Sequence, residues 1–388
     1  MVTNLPAEAK AKWIKVMEAR TIEEKIRALE EFLSAVPKHK GTANLRLWAT
    51  RRLAELREEL EERKRKKTGR GPTFFIEKEG AAQIIVLGLP NSGKSLLVKR
   101  LTGARTIVAD YPFSTRLPVP GMLRYEDIYF QLVDTPPLVP GSAYFNRIIG
   151  LARNSDALII VLDATSDIIR DYNNIKNILN DRGILLEKPR GRVVIEKSRI
   201  GKTGIRVTLL GKLVDATPDD VRKLLESYHI YNAHVKIYGE VKLDDVEQAI
   251  FESVMYKPSI ILVNKIDKAP EKLDDNISYL KKLAPEIPVI KCSALTGEGL
   301  DEIGRTIFSI LGIIRIYTKQ PNGRISDKPL TLREGATIYD VAQAIHKDFV
   351  ERFQYARVWG PSARYPGMRV GLNHILKDGD IVEIRIKG

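Results

Sequence analysis

Between Gln83 and Leu97 the chain reads QIIVLGLPNSGKSLL. Four apolar residues, Ile84 to Leu87, run into a loop of the form G-x-x-x-x-G-K-S, Gly88 to Ser95, and Leu96, Leu97 and Val98 open a helix. Strand, glycine loop and helix in that order make a phosphate cradle. Gly88 and Gly93 let the backbone turn so that successive N–H groups point at phosphate oxygens. Lys94 sets a cation against the outer oxygens, and the Ser95 hydroxyl supplies one position on Mg2+. Asn91, Ser92 and Leu96 complete the loop and its first helical turn, so the stretch from Gly88 to Leu96 is the candidate phosphate contact.

A second apolar strand, Ile128 to Val133, ends in Asp134 within the phrase LVDTPP. An Asp at the end of such a strand is where a phosphate-loop enzyme keeps the carboxylate that holds Mg2+. Further along, Ser259 to Val263 is followed by Asn264-Lys265-Ile266-Asp267, and Val289 to Lys291 by Ser293-Ala294-Leu295. The Asp267 carboxylate can accept from guanine N1–H and the 2-amino group, a pattern adenine lacks. Asn264 can reach the other edge of the base, Lys265 can lie along its plane, and the Ala294 N–H would meet O6. N-K-x-D alone is a weak signal, but after a buried strand and before Ser-Ala it points to GTP or GDP.

These residues need a scaffold. Ile84–Leu87, Ile128–Val133, Ala157–Leu162, Ser259–Val263 and Val289–Lys291 are continuous apolar runs alternating with helical stretches. That pattern implies an α/β fold, a mostly parallel sheet covered by helices on both faces. The nucleotide-binding domain is expected over 81–311. Ala109 to Gly121, rich in Pro and Thr, reads as a loop. The 130 residues between Asp134 and Asn264 exceed what the intervening strand and helices need. The excess, 183–248, holds β-branched stretches (VVIEK, IRVTLL), a helix near Asp219–Ser227 and a strand Ala233–Tyr238, so it reads as an inserted α+β module. From 312 to 388 short strands, a helix near Ile338–Phe349 and turn signals at Asn322-Gly323 and Lys377–Asp380 suggest a β-grasp domain. His346 and His374 read there as surface or turn residues.

The first 70 residues read as a helical region. Two helices fall within 7–35, where Thr21 and Glu24 form a capping box. A third carries Leu45, Trp48, Leu53, Leu56 and Leu60 and runs out into Arg63-Lys64-Arg65-Lys66-Lys67. That basic run is either a solvated helix end or an RNA-touching arm.

The charge distribution bears on partners. Of the net +14, residues 1–70 carry +7 and 312–388 carry +5, leaving +2 for everything between. A basic excess at both ends suggests a nucleic acid or another polyanion, with a merely soluble basic surface as the alternative. No apolar run approaches the roughly 18 residues of a spanning helix. The single cysteine, Cys292, fits a reducing cytoplasm.

GLPNSGKS (88–95), DYPFSTR (110–116), NKID (264–267) and ARVWG…VGLNHILKDGDIVEI near the end together resemble the developmentally regulated GTP-binding proteins of the Obg branch. The C-terminal region resembles a TGS domain, and the insertion occupies the place of a module similar to domain 2 of ribosomal protein S5. The resemblance implies a cytoplasmic GTPase that binds ribosomes or RNA through its basic N-terminal helices and TGS domain and hydrolyses GTP slowly. It further implies Mg2+, a K+ beside the phosphates held by Asn91, and Thr115 as the switch threonine that binds Mg2+ (with Ser114 the less favoured residue). Lys94, Thr115 and Asp134 are then the catalytic candidates, and Ser95, Thr115, Asp134 and Asn91 the metal ligands. A stabilising partner protein and a monomeric state are also expected.

One motif departs from that family. Where D-x-x-G is expected, the chain has Asp134-Thr135-Pro136-Pro137. Proline has no N–H, so Pro137 cannot give the hydrogen bond, worth about 1.5–3 kcal/mol, that the glycine makes to the terminal phosphate. Leu138, next in line, cannot orient a water. Two function classes therefore remain: a slow GTPase, and a nucleotide-binding module that docks on RNA with little hydrolysis. An ATP-dependent kinase or transporter subunit is disfavoured by NKID.

Overall fold

The computed structural model describes residues 5–19, 21–38, 42–67, 76–103, 118–188, 191–197, 204–251, 255–320 and 323–386. They fall into two compact units, one of 1–73 with 180–256 and one of 74–179 with 257–388.

The second unit contains the sheet that the apolar runs require. Its strands, in spatial order, are Val289–Lys291, Ser259–Asn264, Ala157–Asp163, Ala82–Gly88, Ile128–Asp134 and Val119–Tyr125. The first five are parallel, and their central members are buried along their length because helices cover both faces. Among the described residues, the candidate site positions cluster at or just beyond the carboxyl ends of the parallel strands. The end of the stretch read as a loop, 119–121, belongs instead to the antiparallel edge strand Val119–Tyr125, paired from Val119↔Asp134 to Tyr125↔Ile128, while 109–117 lies outside the described residues. Pro120 and Gly121 hide it from a propensity reading, yet an edge strand bonds on one side only and tolerates both.

In the same unit, Ile313–Thr318, Leu330–Arg333, Phe353–Trp359, Met368–Val370 and Asp380–Ile386 form a five-stranded sheet. Ile338 and Val341 pack on Ile314, Ile316, Ala356, Val358 and Val382. The helix expected over Ile338–Phe349 is broken into Ile338–Ile345 and Lys347–Glu351. His346 is extended there, with its ring Nδ1 accepting from the Asp348 N–H at 3.3 Å.

The first unit joins segments that the sequence presents as two modules. Helices Ala7–Glu18, Ile22–Ala35 and Ala43–Lys67 share one core with the insertion, whose strand Ala233–Val241 lies between Gly191–Lys197 and Ile205–Leu213. Trp13 sits 5.2 Å from Phe32, 5.5 Å from Trp48 and 4.8 Å from Phe251, ring centre to ring centre. Contacts that bring Trp13 to Phe32, Trp48 and the distant Phe251 are invisible to local periodicity. They also mean that deleting the basic N-terminus would strip the insertion of half its core.

Trp13→Ala should cost about 3–5 kcal/mol of unit stability. Amide exchange should then quicken in Pro218–Ser227 and Ala233–Val241 together with Ile22–Ala35. Loosening confined to the N-terminal helices would show that the two segments do not unfold as one.

Candidate functional site

The phosphate loop hangs between the strand Ala82–Gly88 and the helix Lys94–Thr102. Asn91 (φ 63°) and Gly93 (φ 84°) are left-handed, which turns neighbouring N–H groups toward one side as an anion nest requires. A Cβ on Gly88 would stand 2.7 Å from both Ser92 Oγ and the Val161 carbonyl. Lys94, 5% exposed, donates from Nζ to the Gly88 and Leu89 carbonyls at 3.1 and 3.0 Å. Burial pushes its pKa down to about 8, against the pull of the Asp134 carboxylate. Ser95 and Leu96 lie half-buried in the first helical turn.

The base-side loops are tied to this cradle by Asn264. It is buried at the end of Ser259–Asn264, donates from Nδ2 to the Ser92 carbonyl at 2.9 Å, and accepts on Oδ1 from the Ala294 N–H at 2.9 Å. Both polar atoms are thus engaged inside the protein, where the sequence suggested a reach toward the base. The same bond engages the Ala294 N–H that was expected to meet O6. The packing is tight enough that a Cβ on Gly93 would fall 2.4 Å from Asn264 Nδ2.

Lys265 adds a second tie. Its Nζ donates to the Asn91 carbonyl and to Asp163 Oδ2, each at 2.6 Å. Asp163, at the end of Ala157–Asp163, was not singled out in the sequence, although its place after an apolar strand matches that of Asp134. Burial raises its pKa, but hydrogen bonds from Lys265 and Thr165 bring it below the usual carboxylate range. Asp267 is exposed and is oriented by Ser293 Oγ, which donates to its Oδ1 at 2.5 Å; Leu295 beside it is 62% exposed.

Asp134 is fully buried at the end of Ile128–Asp134. The prolines after it bend the chain onto the phosphate loop. Thr135 Oγ1 donates to the Val86 carbonyl at 2.7 Å, the Leu138 N–H donates to the Gly88 carbonyl at 3.0 Å, and the Leu138 side chain is buried. Thr115, Ser114 and the rest of DYPFSTR lie outside the described residues. Ser95 and Asp134 are hard oxygen donors suited to Mg2+. Among the described residues no three His, Cys, Asp or Glu side chains gather as an all-protein metal cage. Nor is any described helix long and apolar enough to cross a membrane.

The chain matches the families described as 50S ribosome-binding GTPase over residues 83–196, C-terminal region of MMR_HSR1 domain over 202–313, and TGS domain over 314–386. An uncharacterized GTP-binding protein of Methanocaldococcus jannaschii is 35% identical over 374 residues, covering 94% of this chain and 93% of its own. Developmentally-regulated G-protein 3 of Arabidopsis thaliana is 32% identical, covering 94% and 98%. Ribosome-interacting GTPase 1 of Saccharomyces cerevisiae is 31% identical, covering 94% and 99%.

Two outcomes test the geometry. Gly93→Ala, strained at its left-handed φ and clashing with Asn264, should weaken guanine-nucleotide binding about 100-fold in a fluorescence titration. Phosphate stabilises a charged Lys94, so the complex takes up a proton once the free-state group begins to lose it. Affinity should therefore fall as pH rises through about 8, by at most about tenfold per unit. In Lys94→Met that slope should vanish.

Proposed function

We propose that this chain, which belongs to the developmentally regulated GTP-binding protein family, binds GTP in the loops around Asn264 and hydrolyses it slowly to GDP and phosphate. The observation that carries the reading is the double tie of Asn264. It ties the glycine loop, the NKID loop and the Ser293–Leu295 loop to one another, which supports a shared nucleotide site. Asp267, aimed by Ser293, reads the guanine edge. Gly88, Asn91, Ser92, Gly93 and Leu96 supply the cradle, and Lys94 sets its cation against the terminal phosphates. Lys265 keeps Asn91 in place from the base side. Ser95, Asp134 and Thr115 are the residues to hold Mg2+, which would neutralise charge between the outer phosphates, and Asn91 is the residue to hold K+. With no N–H at Pro137 and Leu138 turned inward, no side chain at these positions orients the attacking water, so the expected rate is low.

The second reading, binding with little hydrolysis, is favoured by one observation. The Leu138 N–H, the nearest substitute for the missing glycine N–H, is already bonded to the Gly88 carbonyl.

For partners, we infer docking on ribosomes or RNA in the cytoplasm, as the name of the yeast relative suggests. Opposite the helix of the C-terminal domain, alternate residues of Phe353–Trp359 face outward. There Arg369 lies 4.0 Å from the Tyr355 ring centre and Lys319 4.0 Å from that of Trp359. Cations interleaved with aromatic rings suit phosphate and base together. The basic run Arg63–Lys67 of the N-terminal helix is a second source of positive charge. A monomeric chain with a stabilising partner protein remains the expected assembly.

Single-turnover phosphate release with and without K+ and purified ribosomes separates the two readings, and no release under any condition would leave binding alone. Asp267→Asn should weaken GTP binding about 100-fold or more while gaining xanthosine triphosphate, whose C2 oxygen accepts the new amide N–H. Replacing Lys319 and Arg369 with Gln should weaken ribosome binding and lower its salt slope by about one per lost phosphate contact. That substitution leaves the core of the other unit intact, which a truncation of residues 1–70 would not.

A further inference from the structure

The edge strand missed in the sequence turns out to connect distant parts of the second unit. Val119–Tyr125 and Ile128–Asp134 form a hairpin with unbroken pairing along seven residues. At its base, Val119 pairs with Asp134. Val119 also follows directly on the 104–118 stretch that contains Thr115. At its tip, about 20 Å away by strand length, Glu126 (φ 49°) and Asp127 make the turn.

Arg315, from the first strand of the C-terminal domain, holds that tip. Its guanidinium grips Asp378 as a fork, Nε to Oδ1 at 3.1 Å and the second terminal nitrogen to Oδ2 at 2.7 Å. The other terminal nitrogen donates to Asp127 Oδ1 at 3.1 Å and to Glu126. The Tyr317 hydroxyl also donates to Asp127. Arg315 packs over the Phe308 ring at 5.2 Å, and Tyr125 lies 5.5 Å from the same ring. Gly304 lets the helix Asp301–Leu311 sit against Tyr125, where a Cβ would come within 2.9 Å of its ring. That helix follows the Ser293–Gly299 loop, so the tip touches an element leading from the base-reading loop as well.

We propose that Arg315 is a positioning residue for the nucleotide switch. By clamping the hairpin tip to the C-terminal sheet, it couples the terminal phosphate, sensed at the hairpin base, to whatever docks on the C-terminal domain. The inference rests on the GTPase reading, which places Asp134 and Thr115 at the phosphates. Apolar contact also joins the two domains, since Ile313 is buried in the core of the nucleotide domain. Beside it a half-buried guanidinium joins carboxylates from both domains, and each of these bonds is directional. An edge strand, held by one neighbour, is the member of a sheet freest to shift, and a continuous two-stranded ribbon carries a shift at its base to its tip. The coupling is reciprocal: if GTP and GDP set the tip differently, a partner that prefers one setting must change the affinity for the nucleotide by the same factor.

The test uses the full chain. Binding of labelled GDP and GTPγS is measured first. Amide exchange is then compared between the two complexes in wild type, Arg315→Gln and Asp127→Asn. In wild type, Ile313–Thr318 should exchange about tenfold differently in the two complexes, the effect of one charge-assisted hydrogen bond. In both variants the difference should persist in 119–134 and disappear from Ile313–Thr318. Equal exchange of Ile313–Thr318 in wild type despite confirmed binding of both nucleotides would overturn the inference while leaving the GTPase reading intact. So would a difference that survives in both variants. Failure of wild type to bind either nucleotide would instead bring down the GTPase reading and this inference with it.

Discussion

The site depends on one buried amide. Asn264 is 1% exposed, and both of its polar atoms bond backbone groups on two other loops. Leaving such a group unpaired in the interior costs about 1–3 kcal/mol per orphaned atom, so the loops at the ends of three strands are held in register by a penalty for coming apart. The close approach of Gly93 to Asn264 belongs to the same constraint, since only a residue without Cβ lets the cradle and the amide meet. Lys265 repeats the arrangement with charge, spanning Asn91 and Asp163. The glycine loop is therefore held in place by the NKID and Ser293–Leu295 loops, and all three belong to one polar network.

Charge in this pocket is balanced rather than simply positive. Lys94 is buried next to carbonyls and near Asp134, and the cost of burying an ammonium shows in its lowered pKa. A polyphosphate would relieve that cost, which favours binding over a bare electrostatic patch. The prolines after Asp134 act differently. They remove an N–H, and the Leu138 N–H beyond them bonds the Gly88 carbonyl, joining the segment after Asp134 to the root of the glycine loop through the backbone. The altered motif is thus accommodated by a defined bend that uses the neighbouring N–H.

Outside the pocket, long-range packing assigns the segments to units. Trp13, Trp48 and Phe251 meet from helices far apart in the chain, making the N-terminal helices and the insertion one body. The Arg315 cluster does the same for the hairpin and the C-terminal sheet, adding charge to the apolar contact of Ile313.

Much of this was legible in the residues alone. The phosphate loop, Asp134, NKID and Ser-Ala-Leu announce themselves because each is a short stretch whose chemistry depends on local spacing, and buried parallel strands read as unbroken apolar runs. The capping box at Thr21 and Glu24 and the turn at Lys377–Asp380 are local in the same way. What the sequence left open was set by contacts between residues distant in the chain. Val119–Tyr125 became a strand because a neighbour offered an edge, despite its Pro and Gly. Asn264 became a tie because two loops came within hydrogen-bond reach. Asp163 and Arg315 acquired partners 102 and 63 residues or more away. Periodicity reports how a residue relates to its neighbours in the chain, whereas these roles follow from which strand ends the folded sheet sets side by side.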